Sequence, residues 1–136
     1  MLIHEVSERT GLSQATLRYY ERIGVVDPVP RDENTGHRHY PDDVVQELFW
    51  LACLRATGMG VADLKLYRAQ RDAGQGAEQR ALLEHQAAKL QHQIEELQSR
   101  LAYLEIKGRL WGARAEGDQA AEQRAVAALN EWAVRS

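Results

Sequence analysis

The tract Ser13-Gln14-Ala15-Thr16-Leu17-Arg18-Tyr19-Tyr20-Glu21-Arg22 concentrates the side chains suited to meeting a polyanion. Short polar groups at the start of a helix, followed one turn later by an arginine, can reach base edges and phosphate oxygens in a major groove. Ser13, Gln14, Thr16 and Arg18 supply that set. Tyr19 adds a ring that can pack on sugar and a hydroxyl that can meet phosphate. Leu17 and Tyr20 fall at core spacing on another face, and Arg22 reads as a solvated surface charge. The second reactive candidate is Cys53, the one cysteine of the chain. Alone it can neither close an intrachain disulfide nor build a thiolate-rich metal cage, so no metal or other cofactor is expected. A lone cysteine on an apolar helix is ordinarily a small hydrophobe. A thiol enzyme is disfavoured: Cys53 has no histidine in its helix and no glycine-rich nucleophile turn, and Trp50 and Leu54 suggest burial.

Short elements must position these groups. Ile3 and Val6 share one face of a first helix, and Gly11-Leu12-Ser13 separates it from the second, for which Ser13 is a good N-cap. Gly24 ends that second helix in the left-handed conformation glycine tolerates. Pro28-Val29-Pro30-Arg31, the turn residues Asn34-Thr35-Gly36 and then His37-Arg38-His39-Tyr40 predict a small hairpin with prolines on an edge. A third helix opens with Pro41 at its first position and Asp42-Asp43 at the positive end of its dipole. It runs to about Ala56 with apolar residues on most sides and is expected to be the central buried element. Gly58-Met59-Gly60 precedes a short helix from Val61 to about Arg71, with Leu64 and Tyr67 at core spacing. Residues 72–76 read as a flexible joint.

Beyond the joint the composition turns to Ala, Gln, Glu, Leu and Arg. Leu83, Leu90, Leu97 and Leu104 fall at d of a heptad, with Ala87, Ile94 and Leu101 at a, which predicts a coiled-coil seam that needs a partner. His85 and His92 fall at f and read as solvated, not as a ligand pair. In the alanine-rich remainder from Gly112, Val126, Leu129 and Trp132 are spaced for a short amphipathic helix. The expected organisation is therefore mostly α: a winged helix-turn-helix head over 1–72, a dimerisation helix over 77–108, and a tail over 109–136.

The 136 residues leave room for one compact domain with an appendage, or for two very small ones. A hydrophobic share of 44% supports a real core and excludes a wholly disordered chain. No run approaches the roughly 18 apolar residues of a membrane span, and Met1–Thr10 lacks the apolar centre of a signal peptide, so the cytoplasm is the simplest compartment. Lys+Arg 17 against Asp+Glu 20 gives −3, so a nucleic-acid reading must rest on local placement of arginine and not on bulk charge. The same acidic balance leaves open a dimeric protein-interaction module.

Five stretches in order carry a resemblance: Ile3-His4-Glu5-Val6 before Thr10-Gly11-Leu12-Ser13; Thr16 to Gly24; Gly36-His37-Arg38-His39-Tyr40; Asp42-Asp43-Val44; and Leu54 to Met59. With the heptad rod behind them, they make residues 1–107 similar to the MerR family of transcription regulators. The resemblance implies that Thr16, Arg18 and Tyr19 face an operator, that Arg38 sits in the first wing against phosphate with His37 where the family often has an aromatic residue, and that Arg55 makes a further backbone contact near the second wing. It implies a homodimer through antiparallel pairing of the long helix. It also implies double-stranded promoter DNA that is bent and untwisted so that RNA polymerase can engage it. The setting of Cys53 resembles the branch that senses aldehydes or nitrosative stress through one cysteine, where modification would enlarge a packed side chain. Both readings of Cys53, sensor and core residue, stand at this point, as does a regulator that senses an uncharged small ligand.

Overall fold

The computed structural model describes residues Met1 to Ser136 and holds six α-helices: α1 Ile3–Thr10, α2 Gln14–Arg22, α3 Asp42–Ala56, α4 Val61–Asp72, α5 Gly76–Glu116 and α6 Gln119–Arg135. The chain divides into two compact units, Met1–Ala87 and Ala88–Ser136, with the boundary inside α5. The mostly α class agrees with the sequence reading. No helix is long and apolar enough to cross a membrane.

In the first unit, α1 and α2 are short and sharply delimited. Gly11 closes α1 at φ 76°, a value that strains any residue with a Cβ. Ser13 caps α2 as expected: its Oγ accepts from Thr16 N at 3.0 Å. Val6, Leu17, Tyr20, Leu48, Leu51, Met59 and Leu64 form one core with Val25, Val26, Val29 and Tyr40 from the connection between α2 and α3. The first turns of α5 belong to this unit. Leu82 packs on its core, Gln79 Nε2 donates to Tyr67 O at 3.0 Å, and Gln86 Nε2 donates to Thr57 O at 2.9 Å.

Several expectations need correction. The predicted hairpin forms no strands; Arg31–Arg38 and Leu2–His39 are isolated antiparallel bridges. Pro28 and Pro30 lack the N–H a ladder requires, and the pairing ends within a few residues of the turn. Pro41 is the N-cap of α3, at φ −60° and ψ 153°, and Asp42 is its first helical residue. The third helix is not buried on most sides: Val45, Leu48 and Leu51 face the core, while Phe49, Trp50 and Cys53 are exposed. Three buried positions spaced three residues apart cover one stripe; Val44 and Leu54 pack at its margins, and Phe49, Trp50 and Cys53 fall outside it.

The second unit also exceeds what the heptads predict. The long helix continues past residue 108 to Glu116, through Gly108 and Gly112, and the tail forms the 17-residue α6. Asp118 caps α6 by accepting from Ala121 N at 3.0 Å. The two helices close on each other through Ile106, Leu110, Ala113 and Ala125, with the Tyr103 ring tilted against that of Trp132 at 4.9 Å and Trp132 Nε1 donating to Ser99 O at 3.0 Å. This packing offsets the cost of two glycines in a helix interior, about 1 kcal/mol each. Ser99, Tyr103, Ile106, Leu110 and Ala113 lie about half a turn around α5 from Leu90, Ile94, Leu97, Leu101 and Leu104. The tail therefore leaves the leucine stripe open, and all five of those residues are exposed.

Replacing fully buried Leu48 by alanine is expected to cost about 2–5 kcal/mol through lost burial and the residual cavity. Urea unfolding of Leu48→Ala against the parent chain checks this, and a cost near zero would place α3 the other way round.

Candidate nucleic-acid interface

Nine residues make too short a helix to stand alone in water, so α2 owes its orientation to the two side chains it buries. Leu17 and Tyr20 fill the core, which turns Arg18 and Tyr19 outward. Arg22 is exposed, as its spacing implies, and its guanidinium lies 5.3 Å over the Tyr19 ring. Ser13 Oγ also donates to Thr16 Oγ1 at 2.8 Å, so the two hydroxyls satisfy each other at the helix start. Gln14 is exposed beside them.

The segment after α2 carries the second half of the surface. Asp32 Oδ1 accepts from Asn34 N at 2.8 Å and Thr35 N at 3.0 Å, and these N–H groups, that of Thr35 foremost, hold its carboxyl below the usual aspartate value. Asp32 N donates to His37 O at 2.8 Å, which closes the loop and sets Arg31 opposite Arg38. The loop is tied to the chain start, where Tyr40 N donates to Met1 O at 2.7 Å and the N-terminal ammonium donates to Tyr40 O at 2.9 Å.

Between this loop, α1 and α2 lies a groove of about 540 Å³ lined by Arg18, Arg31, Arg38, His4 and His37 beside Leu2, Ile3 and Gly36. No carboxylate lines it. Three guanidinium groups and two imidazoles facing one concavity can hold phosphate oxygens by charge-assisted hydrogen bonds. Of the residues singled out in the sequence, Arg18, His37 and Arg38 meet here, with Tyr19 adjacent to Arg18 in the chain. Arg55 does not line the groove; it is exposed at the end of α3 and its Nη1 donates to Met59 O at 3.4 Å. Arg31 and His4 escaped the sequence reading. For Arg31 a signal was available, since a turn centred on Asn34-Thr35 pairs position 31 with position 38.

Arg38 is more constrained than a free phosphate ligand. Its Nε donates to Glu21 Oε2 at 2.6 Å in a half-buried pair. The Tyr40 hydroxyl is buried nearby with no hydrogen-bond partner. Burial raises its pKa first of all; Arg38 opposes, Glu21 adds, and Arg18 opposes. On the far side, Arg68 braces α4 against the turn after α2, with Nη1 donating to Gly24 O at 3.1 Å and an ion pair to Asp27.

A helix-turn-helix head with a convergent cationic groove beside its second helix places the chain in the helix-turn-helix class, with a surface whose chemistry suits a polyanion. The chain belongs to the MerR family: residues 1–71 match the sequence model of the MerR HTH family regulatory proteins. It is 40% identical over 67 residues to the HTH-type transcriptional regulator YyaN of Bacillus subtilis, covering 47% of this chain and 48% of that one. An HTH-type transcriptional regulator of Haemophilus influenzae is 36% identical over 105 residues, covering 76% of this chain and 77% of the other. The chain thus spans about half the length of its Bacillus relative and three-quarters of the Haemophilus one. Among solved structures it is similar to HiNmlR, a MerR family regulator lacking the sensor domain and bound to promoter DNA, with 34% identity, a TM-score of 0.72, and coverage of 89% of this chain and 94% of that one. These relatives are named as transcription regulators and not as enzymes.

Tyr40→Phe removes an unpaired buried hydroxyl and is expected to leave stability unchanged or to raise it by up to about 1–3 kcal/mol. Denaturant unfolding reads the difference, and a clear loss of stability would mean that the hydroxyl has a partner.

Proposed function

We propose that this chain is a homodimeric, sequence-specific regulator that binds and distorts promoter DNA for RNA polymerase and answers reactive electrophiles through Cys53. The observation that carries the DNA reading is the groove in which Arg18 of α2 meets Arg31 and Arg38 of the adjoining loop. In a chain of net charge −3, such local concentration of cations is the feature phosphate binding requires. In this reading Thr16, Arg18 and Tyr19 face the operator, Tyr19 by way of sugar and phosphate, with Ser13 and Gln14 at the helix start. His37, Arg38 and Arg55 serve the backbone, joined by Arg31.

Residues 1–72 act as the reading head, 77–108 as the dimerisation helix and 109–136 as the tail. The open stripe Leu83, Ala87, Leu90, Ile94, Leu97, Leu101 and Leu104 supports antiparallel pairing with a second copy, since an exposed leucine row on a long helix is stable only when covered. Two heads held at a fixed separation would fit only a bent duplex, and deformability of the DNA then contributes to selectivity.

Exposure of Cys53 supports the sensing role over the core role, because a thiol on the surface of α3 is within reach of a dissolved electrophile. With an aldehyde, sulfur bonds to the carbonyl carbon and the carbonyl oxygen takes the thiol proton. With a nitrosothiol, the nitroso group passes to Cys53 and the donor leaves as a thiol. Either product enlarges the side chain beside exposed Phe49 and Trp50.

Mobility shift of the protein's own promoter, repeated across salt, tests the DNA reading. Specific binding that weakens with salt is expected, whereas a protein-interaction module gives no specific shift and no salt slope. Arg18→Ala should cost about 1–3 kcal/mol of operator binding and relax base preference; unchanged binding removes Arg18 from the reading surface. Cys53→Ser should keep DNA binding and lose the transcriptional response to aldehyde or nitrosothiol in a reporter strain. A serine variant that still responds excludes Cys53 as the sensor.

A further inference from the structure

The geometry points to Glu21 as a positioning residue that couples the second helix to the adjoining loop and aims Arg38 at a phosphate. This inference rests on the DNA reading above and assigns to that surface an acidic residue that makes no DNA contact of its own. Glu21 lies in the last turn of α2, three residues after Arg18 and so on the same side of the helix. Its two carboxylate oxygens are used separately. Oε1 accepts from the backbone N–H of Val29 at 3.1 Å, and Oε2 accepts from Arg38 Nε at 2.6 Å. One side chain therefore fixes both flanks of the loop, eight and seventeen residues away in sequence. The Glu21 and Arg38 side chains are 14% and 20% exposed, so solvent screens the pair less than a surface ion pair.

The choice of atom on Arg38 matters. Glu21 takes the Nε, and the terminal nitrogens hydrogen-bond to no other residue. The guanidinium is planar, so holding Nε sets the plane in which the remaining N–H groups point. An arginine held in this way loses less side-chain freedom when it meets a phosphate oxygen, which favours the bound state by preorganisation. Electrostatics alone would oppose an acid at this place, because a carboxylate close to the duplex repels phosphate. Its two directed hydrogen bonds are what that repulsion is set against. The two effects carry opposite signs in binding, and this separates a positioning role from mere surface charge.

Glu21→Gln removes the charge and keeps an amide oxygen for the Val29 N–H, so the fold is expected to survive, as thermal unfolding would confirm. Titration of operator and random duplexes across salt, with wild type, Glu21→Gln, Arg38→Ala and the double variant, gives the test. For Glu21→Gln the expected result is operator affinity down about tenfold, with random-duplex binding unchanged or tighter, and a log–log salt slope reduced by about one phosphate contact. In the Arg38→Ala background the same substitution should cause no further loss. Operator binding by Glu21→Gln that equals or exceeds wild type at the same specificity ratio overturns the positioning role and leaves the DNA reading intact. So does an equal loss with and without Arg38. A wild type with no operator preference overturns both.

Discussion

The burial of Leu17 and Tyr20 is the contact on which the rest of this head depends. A nine-residue helix has little stability of its own, and its direction is set by the two side chains it gives to the shared core. Because Leu17 and Tyr20 are three residues apart, their burial fixes the rotation of the helix about its axis. Arg18 and Tyr19 are then forced outward. The following connection is pinned to the same core by Val25, Val26, Val29 and Tyr40, so its arginines come to lie beside Arg18 and not at an arbitrary place.

Charge follows from this packing. The chain is acidic in sum, yet one groove gathers Arg18, Arg31 and Arg38 with two histidines and no carboxylate. Two further arginines of the head are tied to partners within it. Arg68 is taken up by Gly24 O, Asp27 and Asp72, and Arg71 by Glu47 and Asp72. The acidic residues thus neutralise struts away from the groove, and the bulk charge says little about the local field. Glu21 is the exception that touches both worlds: it faces Arg38, yet its bonds run to the loop.

The long helix solves a different problem. Its two apolar stripes lie about half a turn apart, and α6 covers only the one through Ile106, Leu110 and Ala113. Had the tail folded over the leucine row, a single chain would have covered that stripe. Trp132 decides the matter locally, by packing its ring against Tyr103 and donating to Ser99 O. Carbonyl groups inside a helix are already paired, so this added bond marks a close approach of the two helices.

Much was legible in the sequence alone, because the signals are local. Gly11 and Ser13 delimit the first two helices, the spacing of Leu17 and Tyr20 identifies their buried face, and the heptads announce the stripe on α5. What escaped depends on residues far apart in the chain. Whether Phe49, Trp50 and Cys53 are buried cannot be read from apolarity, since α3 has more apolar residues than one core-facing stripe can bury. Nor does spacing along the chain reveal that Arg38 turns to Glu21, that Arg31 joins the groove, or which side of α5 the tail selects. Those are outcomes of competition for a limited buried volume and for directed hydrogen bonds, and only the folded arrangement resolves them.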